Sequence, residues 1–222
     1  KVAQIGYGHL GKWHAQKAFN IFGEDFYSIV EVDETKHESI QKLYPSVLVT
    51  SNLDKILSEV TGVIIVTPTV FHFELIKKSL NAGVHVFCEK PLTQNYEQAL
   101  EIKNILERNP KLRLQVGHSE RFHQCWEELR EKVSSCRSIT LTRRAPYKGR
   151  GTDVDIIQDL MIHDFDLLYY LWGEVPISIK ATGQKILSDQ LDYVTCVLTY
   201  SNNRLAIVRA SRASVEEQRE FT

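Results

Sequence analysis

Three glycines near the amino terminus, Gly6, Gly8 and Gly11, have the spacing G-x-G-x-x-G. A short apolar run precedes them and an amphipathic stretch follows, so they join a predicted strand to a predicted helix. In that context glycine lets the backbone approach a pyrophosphate, and the helix start offers unpaired N–H groups to it. The alternative is a tight turn without a ligand. The predicted cofactor-binding residues of this loop are Gly6, Gly8, His9, Leu10 and Gly11.

A carboxylate, Asp33, stands 22 positions after Gly11, at the end of the second predicted strand. A carboxylate there can accept hydrogen bonds from both hydroxyls of an adenosine ribose and would repel a 2′-phosphate. Asp33 is therefore predicted to bind the cofactor and to favour NAD over NADP, although Lys36 lies nearby. The alternative is that Asp33 only prepares the helix start at Thr35.

The tripeptide Glu89-Lys90-Pro91 directly follows another predicted strand. In an open parallel sheet, ligands bind at this carboxyl edge. Because proline keeps the preceding residue out of helical conformation, Lys90 can be held beside a cofactor. Its ammonium group could then donate a hydrogen bond to an alkoxide as it forms. The alternative is a lysine on a surface loop.

Four polar side chains recur at helical spacing in the second half of the chain: Asp159, His163, Asp166 and Tyr170. Spacings of four, three and four residues place them on one face of a predicted helix, with apolar residues on both sides of that face. Since a free imidazole titrates at about pH 6.5, His163 with a carboxylate one turn away suits general acid–base chemistry at neutral pH. The alternative is a histidine with a structural role.

A basic cluster, formed by Arg143, Arg144, Lys148 and Arg150, puts four cations within eight residues of a near-neutral chain. Such a cluster can neutralise the phosphates of a substrate, and the alternative is a solvated loop. The pair Glu120-Arg121 fits either interpretation. The predicted substrate-binding residues are Arg121, Arg143, Arg144, Lys148, Asp159 and His163.

The elements that must position these groups alternate in the first half of the chain. Six short apolar strands separated by helical stretches are typical of an α/β fold with a doubly wound parallel sheet of Rossmann type. The predicted strands are Val2 to Ile5, Tyr27 to Val32, Val47 to Val49, Val63 to Val66, Val84 to Cys88 and Leu112 to Val116. The predicted helices are Lys12 to Phe22, Glu38 to Leu43 with a capping box of Thr35 and Glu38, Leu53 to Leu57, Phe73 to Asn81, and Asn95 to Arg108.

After Gly117 the pattern changes to that of an α+β domain with an open, mainly antiparallel sheet. Two alternating stretches joined by Asn202-Asn203 predict a hairpin. The predicted elements are helix Cys125 to Val133, strand Ser138 to Arg143, helix Asp159 to Leu171, and strands Tyr193 to Tyr200 and Leu205 to Ala210. We therefore predict a dinucleotide-binding domain over residues 1–117 and a second domain over residues 118–222, which we expect to be incomplete.

Charge and composition exclude several classes of function. With 27 Lys and Arg against 28 Asp and Glu, the net charge of −1 gives no global attraction to nucleic acid. The longest aliphatic run, Val63 to Val66, is far short of the roughly 20 residues of a membrane-spanning helix. The four cysteines are scattered and predict neither a metal site nor a disulfide framework. We therefore expect a cytoplasmic protein that binds no nucleic acid, membrane or metal.

Together these motifs resemble the Gfo/Idh/MocA family of pyridine-nucleotide oxidoreductases. The resemblance rests on the glycine loop with His14 after it, on Thr67-Pro68 with His72, on Ala82 to Val86 leading to Glu89-Lys90-Pro91, and on Asp159-x-x-x-His163-Asp164. It implies a dehydrogenase acting on CH–OH groups, with NAD as cofactor and Lys90, Asp159 and His163 as the catalytic residues. The implied further cofactor contacts are Thr67, Pro68, His72, Glu89 and Lys90. The second domain would bind substrate and form a homodimer or homotetramer.

Within the family, the segment Gly117 to Phe122 and the run from Asp153 and Asp155 to His163 are most similar to a subgroup that contains UDP-N-acetylglucosamine 3-dehydrogenases. The basic cluster agrees with this, since a nucleotide sugar carries a diphosphate. The resemblance therefore implies hydride transfer between a nicotinamide and a secondary alcohol of a sugar or nucleotide sugar, such as a UDP-N-acetylhexosamine. The alternatives are an NAD-dependent glycosidase on the same scaffold and a non-catalytic dinucleotide-binding regulator.

Overall fold

The computed structural model describes residues 1–147, 149 and 154–222. Lys148 and Arg150 of the basic cluster, and Asp153, lie outside the described residues. The chain forms two compact units, Lys1–Gly117 and His118–Thr222. In the described part of the chain, no helix combines the length and the apolar character needed to cross a bilayer.

The first unit is built on a six-stranded parallel sheet, as predicted. Its strands are β1 (Val2–Ile5), β2 (Phe26–Val30), β3 (Leu48–Thr50), β4 (Gly62–Ile65), β5 (His85–Cys88) and β6 (Leu114–Val116). The strand order β3-β2-β1-β4-β5-β6 is that of a Rossmann fold. The order reverses between β1 and β4, and the carboxyl ends of these strands are where such folds bind ligands.

Five helices cover the two faces of this sheet: α1 (His9–Phe22), α2 (His37–Leu43), α3 (Asp54–Leu57), α4 (His72–Asn81) and α5 (Tyr96–Arg108). One apolar cluster joins the strands to α1 and α2, and a second joins them to α3, α4 and α5. Burial on both faces explains why the strands are short continuous apolar runs. Asn95, the first residue of the predicted helix, caps α5, since its side chain accepts a hydrogen bond from the N–H of Gln98 at 3.0 Å.

The start of α2 differs from the prediction. The predicted capping box of Thr35 and Glu38 is wrong, because Glu34–Lys36 form a 3-10 turn and α2 begins at His37. The carboxylate of Asp33 caps that turn by accepting a hydrogen bond from the N–H of Thr35 at 3.2 Å. Aspartate readily bonds the backbone two residues ahead, and this local turn replaces the predicted cap.

The second unit is a five-stranded, mainly antiparallel sheet with helices on one face. Its elements are α6 (Cys125–Ser135), β7 (Ser138–Arg144), α7 (Ile162–Trp172), β8 (Ser178–Gln184), β9 (Tyr193–Thr199), β10 (Leu205–Ser211) and β11 (Gln218–Phe221). The order is β11-β7-β10-β9-β8, and only β7 and β10 run parallel. Alternate residues of β9 and β10 are buried, together with Leu167, Leu168 and Leu171 of α7.

The predicted hairpin between β9 and β10 is present, and both Asn202 and Asn203 have positive φ, of 58° and 60°. Asparagine tolerates this conformation better than most residues, which suits it to the turn. Strands β8 and β11 were not predicted from the sequence. All seven residues of β8 are exposed, so they carry no alternating apolar signal.

Candidate active site

The glycine loop passes tightly over the carboxyl end of β1. Gly6 has a φ of +96°, and a Cβ there would lie 2.5 Å from the backbone oxygen of Val66. A Cβ on Gly11 would lie 2.6 Å from the backbone oxygen of Gly6. By contrast, a Cβ on Gly8 would meet no described atom within 4 Å. Packing therefore requires the first and third glycines, and the second leaves room for a ligand.

A buried glutamine, Gln4, holds the loop from within the sheet. Its Nε2 donates hydrogen bonds to the carbonyl oxygens of Gly6 and Gly11, both at 2.8 Å. No described side chain caps the first turn of α1, where His9 and Leu10 are exposed, so its N–H groups can bind a pyrophosphate. The sequence analysis missed Gln4, for which the available signal was a polar residue inside an apolar strand.

A second residue that the sequence analysis missed is Glu31, directly after β2. Its side chain is buried, Oε2 accepts a hydrogen bond from the N–H of Tyr7 at 2.8 Å, and Oε1 accepts one from the N–H of Asp33 at 2.9 Å. Glu31 also lines the cavity beside the glycine loop. Each carboxylate oxygen can accept a further hydrogen bond. Glu31 therefore fixes the loop and can also accept hydrogen bonds from ribose hydroxyls.

Asp33, the residue predicted for the ribose, does not line that cavity. Its carboxylate accepts the hydrogen bond from Thr35 and forms an ion pair with Lys36, with Oδ2 3.2 Å from Nζ. These hydrogen bonds, to Thr35 first and to Lys36 second, lower the pKa of Asp33. The geometry favours the alternative in which Asp33 caps a turn. Both acidic residues follow the same strand, so spacing alone could not separate them.

The cavity has a volume of about 530 Å³ and lies along the carboxyl ends of β1, β2 and β4. Its lining includes Gly6, Gly8, Glu31, Thr67 and Pro68. The hydroxyl of Thr67 is buried and has no hydrogen-bond partner among the residues described. Buried polar groups are normally paired. The lining of this cleft fits a dinucleotide. Phosphate oxygens and ribose hydroxyls can pair with the hydroxyl of Thr67 and the carboxylate of Glu31, and Gly8 leaves room for them.

His72 connects two loops at the same edge of the sheet. Its ring is buried, with Nε2 2.9 Å from the carbonyl oxygen of Thr67 and Nδ1 2.8 Å from that of Pro91. The loop after β4 is thereby tied to the loop after β5. Since both ring nitrogens contact backbone oxygens, the geometry favours a positioning role over the predicted contact with the cofactor.

Glu89 and Lys90 follow β5, and the peptide bond between Lys90 and Pro91 is cis. The Oε1 atom of Glu89 lies 2.9 Å from Nε2 of His14 in α1, which links the two elements. Burial alone would raise the pKa of Glu89, but the hydrogen bond and charge of His14, with smaller contributions from Lys90, lower it overall. Glu89 is therefore held as a carboxylate beside the half-buried Lys90.

In the second unit, Asp159 and His163 lie on either side of a change in helix type. Residues Ile157–Met161 form a π-turn that contains Asp159 and leads into α7, where His163 is the second residue. The predicted regular helix from Asp159 is therefore wrong at its start. A π-turn has more residues per turn than the α-helix assumed in the prediction, and such turns are frequent at functional sites.

Arg121, predicted to bind substrate, is paired within the unit. Its Nε donates to Oδ2 of Asp166 at 2.7 Å, and its Nη2 donates to Oδ1 of the same carboxylate. The guanidinium also lies over the ring of Tyr170, with 5.7 Å between Cζ and the ring centroid. The hydrogen bond to Asp166 raises the pKa of Arg121 despite partial burial. The geometry favours a structural role over the predicted phosphate contact.

Arg143 lies in β7, in agreement with the predicted strand Ser138 to Arg143, and β7 extends one residue further to include Arg144. Arg143 is buried, and its guanidinium pairs with Asp164 and Glu120. An internal ion pair is therefore favoured over the predicted phosphate contact. Arg144 is exposed and stays a candidate phosphate ligand, while Lys148 lies outside the described residues.

Comparison with known proteins places both units in one family. The sequence model described as the oxidoreductase family with a NAD-binding Rossmann fold matches residues 1–118, and that of the GFO/IDH/MocA C-terminal domain matches residues 136–222. The chain belongs to the Gfo/Idh/MocA oxidoreductase family. The predicted family and the Rossmann-type fold are thereby confirmed, and the first unit of this oxidoreductase matches the family's model of a NAD-binding Rossmann fold.

The chain is similar to proteins of the Gfo/Idh/MocA family that are named as dehydrogenases. The UDP-N-acetylglucosamine 3-dehydrogenase of Acidithiobacillus ferrooxidans is 36% identical over 226 residues, which cover 99% of this chain and 69% of that protein. A solved structure of that dehydrogenase has a TM-score of 0.91 at 33% identity and covers 99% of this chain and 72% of its own. The inositol 2-dehydrogenase of Rhizobium meliloti is 28% identical over 225 residues, covering 94% of this chain and 67% of that protein. These relatives confirm the predicted class of enzyme, a dehydrogenase acting on CH–OH groups.

Proposed function

We propose that the protein transfers a hydride between NAD and carbon 3 of the sugar in a UDP-N-acetylhexosamine. The observation that carries the proposal is the cleft beside the glycine loop, where Gly8, Glu31 and the unpaired hydroxyl of Thr67 offer partners to a dinucleotide. The substrate is proposed from the 36% identity with a UDP-N-acetylglucosamine 3-dehydrogenase.

The proposed chemistry uses three side chains of this protein. His163 accepts the proton of the sugar hydroxyl as general base. A bound NAD would supply the hydride acceptor, and the carbon that carries this hydroxyl would become a ketone. Lys90 donates a hydrogen bond to the oxygen as negative charge develops on it. Asp159 either orients His163 or balances the charge of Lys90. In the reverse direction, His163 returns the proton.

The diphosphate of the substrate needs positive charge. Of the four predicted cationic ligands, Arg121 and Arg143 have carboxylate partners within the second unit. Arg144 is exposed at the end of β7, so it is the described cation of this set that can pair with a phosphate. Lys148 remains a predicted ligand.

Glu31 supports NAD as the cofactor. Its carboxylate lines the cleft where a 2′-phosphate would enter and would repel that group. The nearby cation, Lys36, lies 3.7 Å from Glu31 and 3.2 Å from Asp33, measured from Nζ to the carboxylate oxygens. Because two carboxylates already surround Lys36, we propose that it does not reverse this preference.

The Glu31→Gln variant is expected to bind NADH about tenfold more weakly, because a hydrogen bond to a charged group is worth about 1.5 kcal/mol or more. The preference for NADH over NADPH should narrow in the same variant. Fluorescence titration of both dinucleotides measures these affinities. The matched control is Asp33→Asn, which we expect to bind NADH within about twofold of the wild type. If Asp33→Asn weakens NADH binding more than Glu31→Gln does, Asp33 rather than Glu31 binds the ribose.

The activity is tested by incubating the protein with NAD and UDP-N-acetylglucosamine, UDP-N-acetylgalactosamine, free N-acetylglucosamine or myo-inositol. Hydrazine is added to trap the ketone, so that turnover can be measured even if the reaction equilibrium favours the alcohol. We expect NADH to form in step with a 3-oxo nucleotide sugar. Turnover of myo-inositol without turnover of either nucleotide sugar would refute the substrate. Release of the sugar without net NADH would indicate the glycosidase, and binding without turnover would indicate the regulator.

A further inference from the structure

Arg143 joins three elements of the second unit in one buried ion network. From β7, its Nε donates a hydrogen bond to Oδ1 of Asp164 in α7 at 2.6 Å. Its Nη2 lies 3.3 Å from Oε2 of Glu120, in the 3-10 turn Ser119–Phe122. The Arg143 side chain is 10% exposed and that of Asp164 is 1% exposed. The network therefore fixes the helical turn that carries His163, the neighbour of Asp164.

Glu120 is the member of this network that interacts electrostatically with His163. Burial alone would raise the pKa of Glu120, but Arg143, His163 and Arg219 together lower it overall. An interaction between two charges acts equally on both partners. The carboxylate of Glu120 therefore favours the protonated form of the His163 imidazole. Arg143 lies 3.3 Å from this carboxylate and partly neutralises its charge, so the cation weakens that effect.

Asp164 adds a second carboxylate to the same turn. Burial raises its pKa to about 6, although Arg143 acts in the opposite direction. Its Oδ2 is buried and has no hydrogen-bond partner among the described residues. Arg143 therefore favours the charged form of Asp164 and is the common ion-pair partner of both acidic groups.

We propose that Glu120 and Arg143 are positioning residues for His163, with Glu120 stabilising the imidazolium that forms on proton transfer and Arg143 holding Glu120 and Asp164 in place. This inference rests on the proposed role of His163 as general base. Among the residues that the structure describes in the second unit, the charged groups around this turn are Glu120 of the 3-10 turn, Arg143 of β7, Arg219 of β11, and Asp159 and Asp164 on the helical segment itself.

The network predicts shifts of opposite sign in the acidic limb of the pH profile of kcat/KM. Glu120→Gln removes an anion, so His163 stays deprotonated to lower pH and the limb moves down by about one pH unit. Arg143→Met removes a cation, so the limb moves up by a similar amount. A purely structural defect would lower kcat in both variants without moving the limb in opposite directions.

The experiment follows NADH formation from UDP-N-acetylglucosamine between pH 5 and 9. Glu120→Gln is compared with the wild type. Arg143→Met is made in an Asp164→Asn background and compared with Asp164→Asn alone. The most deeply buried carboxylate of the network, that of Asp164, is then neither left without Arg143 nor able to titrate. The controls are Glu174→Gln and Arg204→Met, which disrupt another ion pair of the same unit, with 2.7 Å between Nη1 and Oε1. Neither control should move the limb.

A second measurement does not need turnover. NMR follows the pH titration of the His163 ring in each variant, and the His163 signals are assigned as those that disappear in His163→Asn. Shifts of opposite sign in both readouts support the inference. The inference is overturned if the acidic limbs of the two variants do not shift, or if they shift in the same direction. The proposed function still stands in that case, provided that the wild type forms NADH. A wild type that forms no NADH overturns the proposed function and the catalytic meaning of the network. Should the Arg143 variant fail to fold, Glu120→Gln alone decides.

Discussion

Replacing His163 with asparagine is expected to lower kcat for UDP-N-acetylglucosamine oxidation by about 10² to 10⁴-fold, the usual contribution of a positioned general base. Asparagine keeps the polar character and approximate size of the side chain but cannot accept the substrate proton at neutral pH. Binding of NADH should stay within about twofold of the wild type, since the cofactor cleft is formed by residues of the first unit. Steady-state kinetics and fluorescence titration measure the two quantities separately.

The matched control is His85→Asn. His85 is exposed at the first residue of β5, the end of the strand opposite to Lys90. We expect it to retain wild-type kcat. A His163→Asn enzyme with near-wild-type turnover would remove His163 from the mechanism. Loss of NADH binding in the same variant would show that the substitution acts through the fold.

The parallel sheet could be predicted from the sequence because its burial on two faces leaves short apolar runs between amphipathic helices. The second sheet was harder to predict. Strand β9 alternates buried and half-buried residues and was found, whereas β8 is exposed along its whole length and was not. An exposed strand is specified by pairing with its neighbour, and a single sequence carries little trace of that pairing.

The candidate site divides in a similar way. The role of the glycine loop could be predicted, because Gly6 and Gly11 stand where the close approach of the backbone excludes any residue with a Cβ. The choice between Glu31 and Asp33 could not, since it depends on which carboxylate turns towards the N–H of Tyr7. The same limit applies to Arg143. The sequence predicts that its charge binds a phosphate, whereas in the structure its guanidinium pairs with Asp164 of α7, a contact that the sequence does not reveal.

A second ion pair, distant in sequence from the motifs, is expected to dominate the stability of the second unit. The carboxylate of Asp192 is fully buried, and its Oδ2 accepts hydrogen bonds from the N–H groups of Ile186, Leu187 and Ser188 at 2.7, 2.6 and 2.9 Å. Its Oδ1 accepts a hydrogen bond from Nε of Arg212 at 2.8 Å. Arg212 also donates to the carbonyl oxygen of Val154, at the start of the segment that leads to Asp159.

Asp192→Ala is therefore expected to lower the free energy of unfolding by about 3 to 5 kcal/mol, because it removes the buried carboxylate that pairs with Arg212 and accepts three backbone hydrogen bonds. Urea unfolding followed by tryptophan fluorescence measures the change, since Trp126 and Trp172 lie in the core of this unit. The control is Glu174→Ala, whose ion pair with Arg204 is 22 to 25% exposed and should contribute about 1 kcal/mol or less. Equal losses in the two variants would refute the prediction.

The pH dependence gives an independent check on Asp192. Burial alone would raise the pKa of this carboxyl, but the hydrogen bonds from Arg212, Ser188 and the backbone N–H groups lower it well below its usual range. A group whose pKa is lowered by folding stabilises the folded state above its unfolded pKa, about 3.9 for aspartate, and loses that contribution as the pH falls. The stability of the wild type should therefore fall more steeply below about pH 4 than that of Asp192→Ala. If the two proteins lose stability in parallel there, the carboxylate is not charged in the folded state and the ion pair with Arg212 is not what holds this loop.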